Sequence, residues 1–416
     1  MMTKATNLRE ALNLLNPEQS LQTENELKEF FVARRLSPLP DMRMLLQDTY
    51  DKQKVLFTGH RGSGKSTELA KLVQELQPDF FVVDYSIKKK PSLFDLTYVD
   101  VILSLALELF RKATEPVGGQ GLMKINPDVL TQINLFTNEI TKEVELEIKA
   151  QAEIGTEINV KAVKLSSKLG TEAATRTTVR EKVTHRLNDL LEIIDLLARE
   201  IERNAHKRTL VVIEDLDKAD LETAKKLFYE HATSLLAPEV DIIYTFPIAL
   251  RHDNDFMQVK TSFPNLYILP IFKTQLRDGQ PNEEGLQRLR EILVKRADAS
   301  LFTPDALTAL AHCSSGIPRE LISLARRACL EARKSDRPQI DSDAVERAAR
   351  SHRRDYQVTL TTEQLKLLKK VQESKWVEND EAYRALLHNL SVLEYQNDEI
   401  WYDVHPVVQP LLLPED

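Results

Sequence analysis

The chain is short of the residues that mark several common kinds of chemistry. Its 416 residues include only two cysteines, Cys313 and Cys329, set among charged and helix-forming residues with no CxxC or Cys/His spacing. Neither a disulfide framework nor a zinc cluster is therefore expected, and both thiols read as reduced packing residues. The nine histidines show no HExxH or HxH spacing, and no protease, nuclease or deaminase motif is present. No apolar run is long enough to span a bilayer, and MMTKATNLREALNLL lacks the apolar core and small-residue cleavage site of a secretion signal. No membrane partner is expected, and a cytoplasmic location follows by default. A basic surplus is missing as well: the formal charge of −8 argues against a surface that binds nucleic acid or lipid indiscriminately.

What is present is enough apolar residue, 42% of the chain, to build two or three domains with their own cores. Five short runs rich in β-branched or aromatic residues stand out: Val55 to Thr58, Phe80 to Tyr85, Thr209 to Ile213, Val240 to Phe246 and Leu266 to Leu269. They read as buried parallel strands. Helical patterns at Thr67 to Leu76 and Leu221 to Leu236 alternate with them, so the class is α/β.

About 120 residues separate the second run from the third, more than a crossover helix needs. Leu93 to Arg111 reads as a core helix, and an insertion spans about 115–205. Within it, Glu143 to Ile154 alternates polar and apolar with period two, and the alternation resumes at Ile158, Val160 and Ala162. This reads as a β-hairpin with an odd loop pairing Ile154 with Ile158; a Glu/Ala-rich helix is the alternative. Its apolar face needs a cover, and the length of the insertion favours another subunit over the helix of the same chain. That helix is expected to start at Thr178, whose capping box with Glu181 precedes a stripe from Val179 to Ile201. The core is thus assigned to 1–272. Helices at Glu284 to Arg296, Pro304 to Cys313 and Pro318 to Arg333 make a lid over 273–336. Residues 338–416 hold three helical patterns, and then two strands around Asn397-Asp398, a winged-helix-like arrangement.

The chemistry is concentrated in GHRGSGKS, residues 59–66, which fits G-x-x-x-x-G-K-[ST] between an apolar strand and an amphipathic helix. In that context Gly59, His60, Arg61, Gly62, Ser63 and Gly64 form a loop whose backbone N–H groups face phosphate oxygens, over the positive end of the helix. Lys65 is placed on the β and γ phosphates of ATP and Ser66 on Mg²⁺; Thr67 contacts the α phosphate or caps the helix. Such a loop needs an acid on a neighbouring strand. The third run ends in Glu214-Asp215-Leu216-Asp217.

With these residues the chain resembles the AAA+ and STAND groups of P-loop ATPases, whose Walker B strand closes on two acids. The resemblance implies Glu214 for the metal and Asp215 for polarising water, although the order Glu-Asp is the less common one and slow turnover would follow. It further implies a γ-phosphate sensor at Thr245, a second sensor at Arg319 in Gly316-Ile317-Pro318-Arg319, and a finger candidate in Arg251. The layout of lid and tail is similar to origin-recognition initiators and STAND switches. Two functions follow: an ATP-hydrolysing switch or assembly ATPase acting on a protein partner or its own oligomer, or an initiator-like ATPase whose winged helix grips DNA. Nine Lys or Arg against fifteen Asp or Glu in 338–416 disfavour DNA, leaving one basic strip at Arg347, Arg350, Arg353 and Arg354.

Overall fold

The computed structural model describes residues 4–89, 93, 95–114, 125–145, 173–396 and 399–412. Three helices precede the sheet: α1 (Leu8–Leu14), α2 (Glu24–Phe30) and α3 (Leu39–Asp48). Then come β1 (Lys54–Gly59), α4 (Lys65–Leu76), β2 (Phe80–Ser86) and α5 (Tyr98–Thr114). Three helices, α6 (Pro127–Glu145), α7 (Ala173–His185) and α8 (Leu187–Ala205), lead into β3 (Arg208–Glu214). After it, α9 (Leu221–Lys225) and α10 (Ala232–Leu236) flank a wide helical turn at Lys226–Glu230 and reach β4 (Asp241–Pro247); α11 (Phe256–Ser262) connects to β5 (Asn265–Ile268). The lid is α12 (Glu283–Arg296), α13 (Pro304–Cys313) and α14 (Pro318–Lys334). Last are α15 (Ser342–Thr359), α16 (Thr362–Ser374), α17 (Glu381–His388) and the antiparallel hairpin β6 (Val392–Gln396) with β7 (Ile400–Val404).

The five strands form one parallel sheet in the order β2-β3-β4-β1-β5. Strand residues alternate between two covered faces, as a parallel sheet requires. Val55, Phe57, Leu210 and Val212 pack on α3 and α4, whereas Leu56, Val211 and Ile213 face α5 and α8. The expected runs are therefore all strands, and the α/β class holds. Because β1, β3 and β4 are neighbours, their C-terminal ends bring Gly59, Glu214 and Thr245 to one edge, where ligands bind in open α/β sheets.

The insertion departs from expectation. Glu143, Val144 and Glu145 end α6 and are helical, not strand. The stripe Val129, Ile133, Phe136 and Ile140, all buried, fixes that helix, and a short alternation at its end does not outweigh it. Residues 146–172, with the rest of the expected hairpin, lie outside the described residues. The described part packs on the core through Ile133, Phe136, Leu190 and Ile193. Arg180 anchors α7 by an ion pair of 2.6 Å to the fully buried Asp100. Thr178 is not a helix start: α7 begins at Ala173, and the chain restarts as α8 after Arg186. Ala173 and Ala174 are strong helix formers and extend the helix upstream. The stripe itself is buried as expected, from Val179 and Val183 through Ile194 and Leu197 to Ile201.

The apolar core of the lid recruits Leu8 and Ala11 of α1 and continues into α15 through Ala344, Val345 and Ala348. The C-terminal hairpin is not free. Leu393, Tyr395 and Trp401 are buried against Ile271 and Ile317, at the junction of core and lid.

Candidate functional site

The glycine loop joins β1 to α4. Gly62 and Gly64 have φ of +77° and +102°, which disfavours side chains there. Gly64 is the N-cap of α4 and offers no capping side chain, so the first-turn amides keep their capacity for an anion. A Cβ on Gly62 would lie 2.7 Å from the Arg319 Cβ, and the Arg319 N–H donates to the Gly62 carbonyl at 3.2 Å. The lid thus rests on the loop itself. The carbonyl of Ser63 is held from beneath by the buried Arg34, which also bonds Pro270 O at 2.6 Å and pairs with Glu68 at 3.0 Å. No local pattern marks Arg34 in the sequence, because its partners come from the loop, α4 and the end of the sheet.

Lys65 is buried, and its Nζ donates to the carbonyls of Gly59 at 2.8 Å and His60 at 3.0 Å. Its carboxylate partner is Asp217, at 2.8 Å. Burial pushes the Asp217 carboxyl up, but Lys65 outweighs it and holds the group below its usual range. Asp217 belongs to the acid run that the sequence reveals, yet its link to Lys65 could be found only in the fold.

Glu214 closes β3 opposite Ser86, with the Ser66 side chain beside it. Burial, followed by the nearby Asp84, raises its carboxyl to about 7. Asp215 turns the chain with φ of +72°, uncommon for a non-glycine residue. Its carboxylate accepts from the Ser86 hydroxyl at 2.5 Å and pairs with Lys218. Thr245 is buried beside this turn: its hydroxyl accepts the Leu216 N–H at 3.0 Å and donates to the Ile213 carbonyl at 3.3 Å. Thr67 accepts the Leu21 N–H at 3.2 Å and so ties the N-terminal segment to α4. Arg61 donates to the Lys218 carbonyl at 2.8 Å, and the Arg319 Nε donates to Pro17 O at 3.3 Å. Lys65, Ser66, Thr67, Glu214, Asp215 and Thr245 line a narrow cleft of about 100 Å³, which Pro17 and Leu21 of the N-terminal segment and Arg296, Arg319 and Ile322 of the lid also border.

One part of the site was not legible in sequence. The Glu394 N–H, in β6, donates to His60 Nε2 inside the glycine loop at 2.7 Å. That ring nitrogen therefore carries no proton, and burial holds the His60 pKa down at about 4. The Glu394 side chain is fully buried and bonds Arg251 at 2.5 Å and His252 at 2.9 Å. Burial alone would raise this carboxyl, but His252 and Arg251 hold it at about 2. Arg251, the finger candidate, is thus occupied within its own chain.

The residues fit a nucleotide with a hard cation. The amides at the start of α4 and Lys65 would meet phosphate, and the Ser66 hydroxyl and Glu214 carboxylate would offer oxygen donors to the cation. Among the described residues no group of three His, Cys, Asp or Glu could hold a metal, so phosphate and water oxygens would complete the shell. The strand order, the glycine loop after β1, the acids at the end of β3 and a helical unit resting on the loop make an open parallel α/β fold of P-loop kind, followed by three helices and a β-hairpin.

No protein-family model matches the sequence, and no curated protein does. Among solved structures, the chain is similar to Cdc6p from Pyrobaculum aerophilum, at 12% identity over 96% of this chain and 95% of that one, with a TM-score of 0.43. It is also similar to a Walker-type ATPase of Pyrococcus abyssi, at 14% identity over 96% and 99%, TM-score 0.47. A third is the Thermotoga maritima RuvB Holliday junction branch migration motor, at 13% identity over 96% and 98%, TM-score 0.40. Likeness at this level says nothing of activity, substrate or partner. No helix among the described residues is long and apolar enough to cross a membrane.

Proposed function

We propose that this protein is an ATP-hydrolysing switch whose C-terminal domain follows the state of the phosphate loop and acts on a protein partner or on a second copy of the chain. The observation that carries the reading is the hydrogen bond from Glu394 of the wing to His60 of the loop, at 2.7 Å. A change in the loop on filling with phosphates is felt at once by the wing, and through Glu394 by Arg251 and His252.

In this reading the loop from Gly59 to Thr67 holds the phosphates, with Lys65 exchanging Asp217 for the ligand. Ser66 and Glu214 hold Mg²⁺, which neutralises charge developing on the transferred phosphoryl group. Asp215, aimed by Ser86 and Lys218, orients the attacking water. Thr245 keeps the turn carrying Asp215 in register with β4, and Arg319 couples the lid to the γ-phosphate side of the loop. The ion pair of Asp215 with Lys218 has to be rearranged before the carboxylate can face a water, which agrees with slow turnover.

The alternative, DNA held by the winged helix, has less support. The hairpin is buried against the core, and two arginines of the basic strip are already paired, Arg347 with Asp343 at 2.6 Å and Arg350 with Glu346 at 3.6 Å.

The test is His60→Phe, which keeps a ring in the loop and removes the acceptor of the Glu394 N–H. Basal ATP hydrolysis and ADP release are expected to rise several-fold, with a nucleotide-dependent change in assembly visible by light scattering. Unchanged turnover, exchange and assembly would refute the coupling, and duplex binding with a steep salt dependence in a filter assay would favour the alternative.

A further inference from the structure

Most cations buried around the nucleotide cleft have a carboxylate partner. Lys65 has Asp217 at 2.8 Å, Arg34 has Glu68 at 3.0 Å and Arg251 has Glu394 at 2.5 Å. Arg296 does not follow this pattern. It is the last residue of α12, only 8% exposed, and it lines the cleft. No carboxylate among the described residues pairs with it. Its Nη1 donates to the Ile292 carbonyl at 2.9 Å, and its guanidinium lies 5.5 Å from the centre of the Phe30 ring. A guanidinium carries five donors, so most of its capacity is left over. Burial with no opposing charge pulls its pKa down to about 10. A cation buried without a partner is destabilising, and an anion from outside the chain relieves that.

Its position says which part of a ligand it meets. Phe30 packs with Leu21 and Ala70, and Leu21 is tied to the Thr67 hydroxyl at 3.2 Å. Thr67 and Ala70 lie on the first two turns of α4, whose N-terminal amides face the α and β phosphates in a loop of this type. Arg319, by contrast, contacts Gly62 in the middle of the loop.

We propose that Arg296 is a nucleotide-binding residue, a second lid cation that meets the nucleoside-proximal, α-phosphate end of the ligand. This rests on reading the cleft as an ATP site. Its contact is to a part that ATP and ADP share, so it sets affinity for both, whereas Arg319 distinguishes them. It also ties lid closure to occupancy by any nucleotide, because α12 carries the cation.

The test compares the full chain with Arg296→Met, which keeps the apolar stem, by calorimetric titration with Mg·ATP and Mg·ADP. Arg319→Ala and Lys65→Ala are measured alongside. Arg296→Met is expected to weaken ATP and ADP by similar factors of about tenfold or more, the loss of one charge-assisted contact. Its melting temperature without nucleotide is expected to be no lower than that of the parent, because an unpaired charge has been removed. Arg296→Lys is expected to recover part of the affinity. Unchanged affinity in the folded Met variant overturns the proposal, as does weakening confined to ATP. A lower melting temperature without nucleotide also overturns it, because that marks a packing role. If Arg296→Met does not fold, Arg296→Gln is read by the same criteria. Full affinity in Lys65→Ala would instead sink the ATP-site reading, leaving the two failures distinguishable.

Discussion

Replacing Glu214 with glutamine separates the charge of this acid from its shape, and the fold sets opposite expectations for stability and activity. Burial, with Asp84 adding to it, moves the carboxyl from an ordinary 4.5 to about 7. That difference corresponds to an upper bound of about 3 kcal/mol held against the charged form. The sign follows from the direction. With the folded pKa raised, the contribution of Glu214 to stability is complete below pH 4.5 and is lost as pH rises through about 7. Glutamine cannot ionise, so Glu214→Gln should be the more stable protein at pH 8, by up to about 3 kcal/mol and hence a few degrees in melting temperature. Near pH 4.5 the two should coincide. Magnesium-dependent turnover should nevertheless fall to background, because the cation needs the charged form. Differential scanning without nucleotide or metal at both pH values, together with phosphate release at pH 8, measures all three. A variant no more stable than the parent at pH 8, or displaced equally at both pH values, would refute the account of Glu214 as a buried, strained charge.

Lys65→Ala should abolish ATP binding, and it should also lower the stability of the nucleotide-free protein, because Asp217 would be left buried without its partner, a loss of about 3–5 kcal/mol for such pairs. Adding Asp217→Asn should restore much of that stability but none of the binding; thermal shift and equilibrium titration separate the two effects. Gly62→Ala should impair nucleotide binding and lid closure together, since its Cβ meets the Arg319 Cβ at 2.7 Å on a backbone of positive φ. Titration with ATP and ADP checks it, and wild-type affinity for both would show that the lid can move away from the loop at no cost.

The elements best read from sequence were those fixed by local periodicity or by a motif with its own backbone requirement. All five strands are where runs of β-branched and aromatic residues put them, because a strand buried on both faces must be apolar throughout. The helical stripe from Val179 to Ile201 was also legible, while its start was not: Thr178 and Glu181 carry a capping pattern inside a helix that two alanines extend upstream. The alternation at Glu143–Glu145 failed for a similar reason, since a few residues of period two carry less energy than a helical face already packed on the core.

In the site, the glycine loop, Lys65, Ser66 and the acids at and after the end of β3 are legible in the sequence alone, because the motif sets those residue types at a fixed spacing along one stretch of chain. Only the tertiary structure decided that Asp217 partners Lys65, that Arg34 supports Ser63, that Arg296 stands unpaired in the cleft and that Glu394 reaches His60. These relations join residues tens to hundreds of positions apart, where no spacing rule applies. What selects them is the energy of burying charge, which can be balanced only once the fold has fixed which groups share the same low-dielectric interior.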